Sequence, residues 1–235
     1  MEKQRLDKII GASTPYSRKE IKSLVKSGRV TVDGRIAAAP DDKADPEKSV
    51  ISVDGVRIGY RKNRYFMMNK PAGYLSATED KNSPTVTDLL REEDRAFELF
   101  PAGRLDKDSE GLLILTDDGV FCHDVISPKK HVYKTYYVET AEALCGSDCE
   151  EFRRGIVLGD GTQCLPGELE ITGRNCGKVK IREGKFHQVK RMLGSLGKPV
   201  TYLKRVAIGG LLLDENLEKG GYRELTEGEI SKIFE

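Results

Sequence analysis

Gly103-Arg104-Leu105-Asp106-Lys107-Asp108-Ser109-Glu110-Gly111-Leu112-Leu113-Ile114-Leu115-Thr116 runs from a charged loop straight into an apolar strand. Leu112 to Leu115 are four apolar residues in a row, closed off by the turn residues Asp117-Asp118-Gly119, so they read as a buried strand. Asp106 stands between Arg104 and Lys107 in the loop that feeds this strand. Neighbouring cations favour the ionised form of a carboxylate, and an ionised carboxylate aimed out of a rigid sheet is a competent nucleophile or base. An isolated loop aspartate is more often a turn or cap residue. What sets this one apart is the combination of flanking cations, preceding glycine and following strand.

The elements around this stretch mix without a βαβ rhythm. Tyr65-Phe66-Met67-Met68 is an apolar strand that stops at Lys70-Pro71-Ala72-Gly73. Thr87 to Leu90 and Phe121 to Val125 suggest short helices, and Thr135 to Val138 alternates like a strand. Val179 and Ile181 alternate with lysine and arginine, and Phe186, Val189, Leu193 and Leu196 fit one helical face with Met192 at its edge. The expected class is therefore α+β, with a mixed, mainly antiparallel sheet in a domain spanning 64–235.

Residues 1–60 form a separate, smaller pattern of helix, turn, helix and hairpin. Ser17 with Glu20 has capping-box spacing. Ile21, Leu24 and Val25 make an apolar stripe, and Gly28 suits the helix C-terminus. Lys19, Lys22, Lys26 and Arg29 lie mainly off that stripe. Asp33-Gly34 and Asp54-Gly55 are hairpin turns between short β-branched runs, and Asp41 to Glu47 reads as a loop. Residues 1–63 carry 14 Lys+Arg against 9 Asp+Glu, a charge of +5, while the remainder carries 25 against 29, or −4. A basic small module beside a mildly acidic body is the distribution expected of a protein that handles a polyanion.

Other classes are disfavoured. The charged N-terminal run Met1-Glu2-Lys3-Gln4-Arg5 leads into no apolar signal segment, and no apolar run is long enough to span a bilayer. The five cysteines (122, 145, 149, 164 and 176) have no zinc-ligand spacing and read as reduced thiols. No Gly-x-Gly-x-x-Gly dinucleotide fingerprint occurs. A cytoplasmic protein without metal or organic cofactor is expected, and nothing resembles a dedicated oligomer seam, so a monomer is expected too.

The N-terminal segment resembles the alpha-L-type RNA-binding domain shared by a ribosomal small-subunit protein and many RNA-modifying enzymes. The likeness rests on Arg5-Leu6-Asp7-Lys8-Ile9, Ser17-Arg18-Lys19 and Lys26-Ser27-Gly28-Arg29-Val30-Thr31-Val32-Asp33-Gly34. It implies that Arg18, Lys22, Lys26 and Arg29 face RNA phosphates. In the body, Gly103-Arg104-Leu105-Asp106 with Ser109-Glu110-Gly111-Leu112-Leu113 is similar to the signature of RsuA-type pseudouridine synthases. Lys134-Thr135-Tyr136 and Glu183-Gly184-Lys185-Phe186-His187-Gln188-Val189-Lys190-Arg191-Met192 match that family in the proper order.

The resemblance implies three catalytic residues: Asp106 as the essential carboxylate, Tyr136 stacking on a flipped uracil, and Lys190 keeping Asp106 charged. By propensity Tyr136 is a strand tyrosine and Lys190 a solvated helix lysine; only the motifs single them out. Strand alternation puts Tyr137 on the opposite face, as packing. Leu193 would wall the uracil, and Gln188, His187 and Arg191 would brace the turn or touch substrate. Arg104 could fill the space that the uridine leaves on flipping. Lys129, Lys130 and Lys134 form a further basic run, either solvated or on RNA. The implied activity is isomerisation of a uridine in ribosomal RNA, with a lean toward 16S over 23S from the His187-Gln188-Val189-Lys190-Arg191 wording. A non-catalytic RNA-binding assembly factor is the competing class, and a glycosidase acting on free nucleosides a third.

Overall fold

The computed structural model describes residues 3–60 and 62–235, which divide into two compact units. One comprises Met1–Arg64 with Leu90–Leu99, the other Tyr65–Leu89 with Phe100–Glu235. No helix among the described residues is long and apolar enough to cross a membrane.

In the first unit, β1 (Gln4–Arg5) leads into α1 (Leu6–Ser13), and α2 (Arg18–Lys26) follows. Ser17 and Glu20 form the expected capping box: the Glu20 carboxylate accepts from the Ser17 N–H at 2.7 Å, and the Ser17 hydroxyl accepts from the Glu20 N–H at 3.3 Å. Leu6, Ile9 and Ile10 of α1 and Ile21, Leu24 and Val25 of α2 bury into one core. Strands β2 (Val30–Val32) and β3 (Arg35–Ile36) form the first hairpin. β4 (Lys43–Ala44) pairs with β1, where the sequence suggests only a loop; two polar residues of strand carry no periodicity to read. β5 (Ile51–Val53) and β6 (Val56–Arg57) complete a sheet of order β3-β2-β5-β6. Asp33 and Asp54, at φ 51° and 52°, each precede a glycine at φ 79° and 78°, the geometry that the two Asp-Gly pairs foretell. The 90–99 segment, with the short α3 (Glu92–Arg95), falls outside any expected boundary; the Arg64 guanidinium lies 3.6 Å over its Phe97 ring.

The second unit is built on one sheet. Its elements are β7 (Tyr65–Lys70), β8 (Phe100–Pro101), β9 (Glu110–Thr116), α4 (Gly119–Ile126), β10 (Lys134–Thr140) and α5 (Gly146–Arg154). Then come β11 (Glu168–Gly173), β12 (Cys176–Ile181), α6 (Gln188–Ser195), β13 (Val200–Ile208), β14 (Leu211–Leu212), β15 (Tyr222–Glu224) and α7 (Glu227–Lys232). The order is β11-β12-β10-β13-β9-β7-β15, with β8 added to β9 and β14 to β13. The fold is thus α+β with a mainly antiparallel sheet. One apolar cluster, including Leu105, Tyr136, Val138, Phe152, Val179, Val189, Met192 and Leu193, packs on one half. A second, including Met67, Leu112, Ile114, Phe121 and Ile233, packs on the other.

The halves meet along β9 and β13, the one parallel pairing between the named strands among the described residues, at Glu110↔Lys204 and Gly111↔Arg205. Gly111 sits at φ 103°, and a Cβ built there would lie 2.2 Å from the Arg205 carbonyl oxygen. No rotamer relieves a clash between two backbones, so this position requires glycine. Every residue of β9 is buried, including Glu110 and Thr116, which explains why this strand reads as a near-continuous apolar run.

Phe186 departs from the sequence reading. It lies outside α6 and is 75 % exposed, while Met192, expected at the edge of the helix, is fully buried. The 3.6-residue spacing is satisfied, but the helix starts two residues later.

Gly111→Ala is therefore expected to destabilise the protein by more than about 4 kcal/mol, read as loss of soluble protein or a collapsed thermal midpoint. Gly194→Ala, at an exposed helical position with open space around it, should be neutral or stabilising by up to about 1 kcal/mol.

Candidate active site

The loop that carries Asp106 is held through its backbone. Lys70, the last residue of β7, is completely buried, and its ammonium donates to four carbonyls: Ser109 at 2.8 Å, Asp106 at 3.0 Å, Pro71 at 3.1 Å and Lys107 at 3.3 Å. The Gly73 N–H donates to the Lys107 carbonyl at 2.7 Å. The Ser76 hydroxyl donates to the Leu105 carbonyl at 2.9 Å and accepts from the Leu105 N–H at 3.0 Å. With Ser109 N–H on the Asp106 carbonyl at 3.1 Å, the loop has almost no backbone freedom left. The backbone that carries the Asp106 carboxylate is therefore fixed by the protein itself. A lysine closing an apolar strand just before Pro71-Ala72-Gly73 is the trace of this device in the sequence, and it is easily read as a mere strand end.

Burial drives the Lys70 ammonium down to about 8, against the pull of Asp108, Asp106 and Glu110 toward the charged form. Lys134, at the start of β10, is also brought down to about 8 by burial and by nearby Arg205; its ammonium donates to the carbonyls of Val125 at 2.8 Å and Val132 at 2.9 Å. Lys134 therefore anchors the chain inside the protein and does not extend the basic run at Lys129 and Lys130 to RNA.

Lys190, on the first turn of α6, reaches Asp106 Oδ2 at 3.2 Å. It makes a closer contact with Asp108 Oδ1, at 2.5 Å, so it bridges two carboxylates. That hydrogen bond holds the Asp108 carboxyl below the usual carboxylate range. The Asp106 side chain is 22 % exposed and that of Asp108 75 %, which leaves Asp106 the more enclosed of the two. His187 Nε2 stands 3.6 Å from Asp106 Oδ1, beyond hydrogen-bonding distance but beside the same carboxylate.

Tyr136, Leu193 and Leu105 share the first apolar cluster. Tyr136 is nearly buried, and no described group hydrogen-bonds its hydroxyl. Tyr137 lies on the other face, edge-on to Tyr202, as alternation requires. Beneath Tyr136 lies Arg205, which is 3 % exposed and has its guanidinium carbon 6.0 Å from the ring centre. Its Nε donates to the Leu112 carbonyl at 2.7 Å and its Nη1 lies 3.5 Å from the Arg104 carbonyl, while Nη2 is buried without a partner. No sequence motif points to Arg205. Its role follows only from the tertiary meeting of β13, β9 and β10.

The remaining expected residues divide. Arg104 is exposed, and no described group pairs with its side chain. Gln188 is 4 % exposed, donating to Glu183 at 2.8 Å and accepting from the Lys185 N–H at 2.8 Å. It braces the turn and is not available to a substrate, because both ends of its amide are used internally. Arg191 pairs with Asp160 at 2.5 Å. In the first unit Arg18, Lys22 and Lys26 are exposed, whereas Arg29 is engaged bidentately by Asp54 at 2.6 Å. Lys129 and Lys130 are exposed, Lys130 lying 3.3 Å from Asp124.

Comparison with known proteins fits this arrangement. The family model for RNA pseudouridylate synthase matches residues 64–195, and that for the S4 domain matches 4–50. An uncharacterized RNA pseudouridine synthase of Bacillus subtilis is 45 % identical, over 98 % of each chain. The ribosomal small subunit pseudouridine synthase A of Escherichia coli is 40 % identical over 97 % of this chain and 99 % of that one. A crystal structure of a pseudouridylate synthase superposes with a TM-score of 0.69 at 36 % identity, covering 98 % and 99 % of the two chains. The chain belongs to the RNA pseudouridine synthases, of RsuA type, and is an isomerase that acts on RNA.

Lys70 sets a pH dependence with a definite sign. Its folded value, about 8, lies below the ordinary 10.5, so between these the unfolded chain binds more protons and stability rises with pH. The unfolding free energy of the wild type relative to Lys70→Met should rise by about 3 kcal/mol from pH 8 to pH 10.5, measured by denaturant melts across that range. A flat difference would mean that Lys70 is not held in the low-dielectric nest described.

Proposed function

We propose that this enzyme converts one uridine of small-subunit (16S) ribosomal RNA to pseudouridine, with Asp106 as its essential carboxylate. The reaction breaks the bond from ribose C1′ to uracil N1, turns the base and forms a bond from C1′ to C5. C5 loses a proton and N1 gains one, so no electrons are exchanged with any other molecule. Asp106 either adds to the sugar or base, or removes a ribose proton to give a glycal. Either role requires the carboxylate to be ionised, and the Lys190 ammonium stands 3.2 Å away as its counter-ion.

The reading rests on one observation above others: Asp106, Lys190 and the Tyr136–Leu193 wall come from separate stretches of the chain, and Leu105, next to Asp106, lies in the same apolar cluster as Tyr136 and Leu193. Tyr136 stacks on the extruded uracil and its unpaired hydroxyl is free to pass a proton. Arg104 occupies the vacated place in the RNA stack or holds a phosphate. The exposed Arg18, Lys22 and Lys26 of α2 track the phosphate backbone and set orientation rather than sequence. The ribosomal small-subunit target is taken from the near-full-length similarity to the Escherichia coli relative of that name.

Ribosomal RNA from cells lacking this gene, mapped by carbodiimide modification and reverse transcription, is expected to lose a single pseudouridine in the small-subunit RNA and to regain it on complementation. Loss of a large-subunit pseudouridine instead would overturn the target assignment.

A further inference from the structure

Phe186 has no part in the chemistry described so far, yet among the described residues it is the most exposed of the large hydrophobic side chains, at 75 %. One face of its ring is covered by the imidazole of His187, the ring centres 3.8 Å apart and the planes within 17°. The other face is open. His187 adopts a left-handed backbone conformation, φ 48° and ψ 36°, which few non-glycine residues do. That turn is fixed: Lys185 and Gln188 are hydrogen-bonded to each other, Gln188 to Glu183, and the Arg191 guanidinium lies 3.4 Å from the Phe186 carbonyl. An exposed phenyl ring thus stands on a hydrogen-bonded turn whose next residue lies 3.6 Å from Asp106.

We propose that Phe186, backed by His187, is a stacking platform for an RNA base flanking the target uridine. The target base itself belongs to the enclosed wall at Tyr136 and Leu193, so a ring in open solvent beside Asp106 meets its neighbour. Extruding one uridine unstacks that neighbour, and a rigid aromatic face replaces the lost stacking whatever the base. Lys185, Lys190 and Arg191 border the turn, each paired with a carboxylate: Lys185 with Glu183, Lys190 with Asp106 and Asp108, and Arg191 with Asp160. The inference rests on the assignment of Asp106 as the site of uridine isomerisation.

The test is tritium release from ribosomal RNA labelled at uridine C5, which reports turnover whichever uridine is the target. Full-length wild type, Phe186→Ala, Phe186→Leu and Phe186→Trp are compared. We expect Ala and Leu each to raise KM about tenfold with kcat within about threefold. Trp should restore KM, and all four should share one thermal midpoint, because the Phe186 side chain is 75 % exposed and its ring stacks on His187. A KM for Phe186→Ala within twofold of wild type overturns the platform. Restoration by Leu as fully as by Trp also overturns it, in favour of plain apolar contact such as a ribosomal protein would make. A fall in thermal midpoint matching the activity loss overturns it in favour of a structural role. If the wild type releases no tritium from either ribosomal RNA, the assignment of function fails first, and the platform with it.

Discussion

The sheet of the second unit depends on the approach of β9 to β13 at Gly111 and Arg205. Two residue pairs join the half of the sheet that delivers Asp106 to the half that delivers Tyr136 and leads into Lys190. Elsewhere each half is held by long antiparallel ladders, which are individually stable and say nothing about the angle between them. The backbone contact that glycine permits is what makes one sheet of two. Arg205 reinforces it from the same position, its side chain reaching the Leu112 and Arg104 carbonyls on either side of the Asp106 loop.

A second constraint follows from burying charge. Lys70, Lys134 and Arg205 are all buried and bond backbone carbonyls, Arg205 only in part because its Nη2 lacks a partner, with no carboxylate within ion-pair reach among the described residues. Removing such groups from water costs several kcal/mol each, and charge-assisted hydrogen bonds to carbonyls offset part of that cost. What the ammonium of Lys70 does that a methyl group could not is gather three carbonyls of one short loop, from Asp106, Lys107 and Ser109, around a single point. The cost of the buried charge is exchanged for a loop with one conformation.

Much of this was legible in the sequence, for local reasons. The Ser17–Glu20 capping box and the two Asp-Gly hairpins depend on neighbours within four residues, and both formed as read. The charged loop opening into β9 was equally plain. Features that depend on meetings between distant strands were not. Gly111 looks like any glycine until Arg205 is placed against it, and Lys70 like a strand end until the loop closes over it. Gln188 and Phe186 show the opposite failure, since both sit in a strongly patterned motif. Pattern alone could not say that Gln188 turns inward to Glu183 while Phe186, spaced for a helical core, turns out to solvent. Nor could it show that Lys190 divides its charge between Asp106 and the more exposed Asp108.

That division defines the decisive measurement. Single-turnover conversion of uridine to pseudouridine in small-subunit ribosomal RNA should be compared for wild type, Asp106→Asn and Asp108→Asn, with RNA affinity measured in parallel. If Asp106 is the acting carboxylate and Asp108 only shares its lysine, Asp106→Asn makes no detectable pseudouridine while binding RNA within about threefold of wild type, and Asp108→Asn stays within about tenfold of the wild-type rate. Retained conversion by Asp106→Asn, or loss confined to Asp108→Asn, would contradict the account.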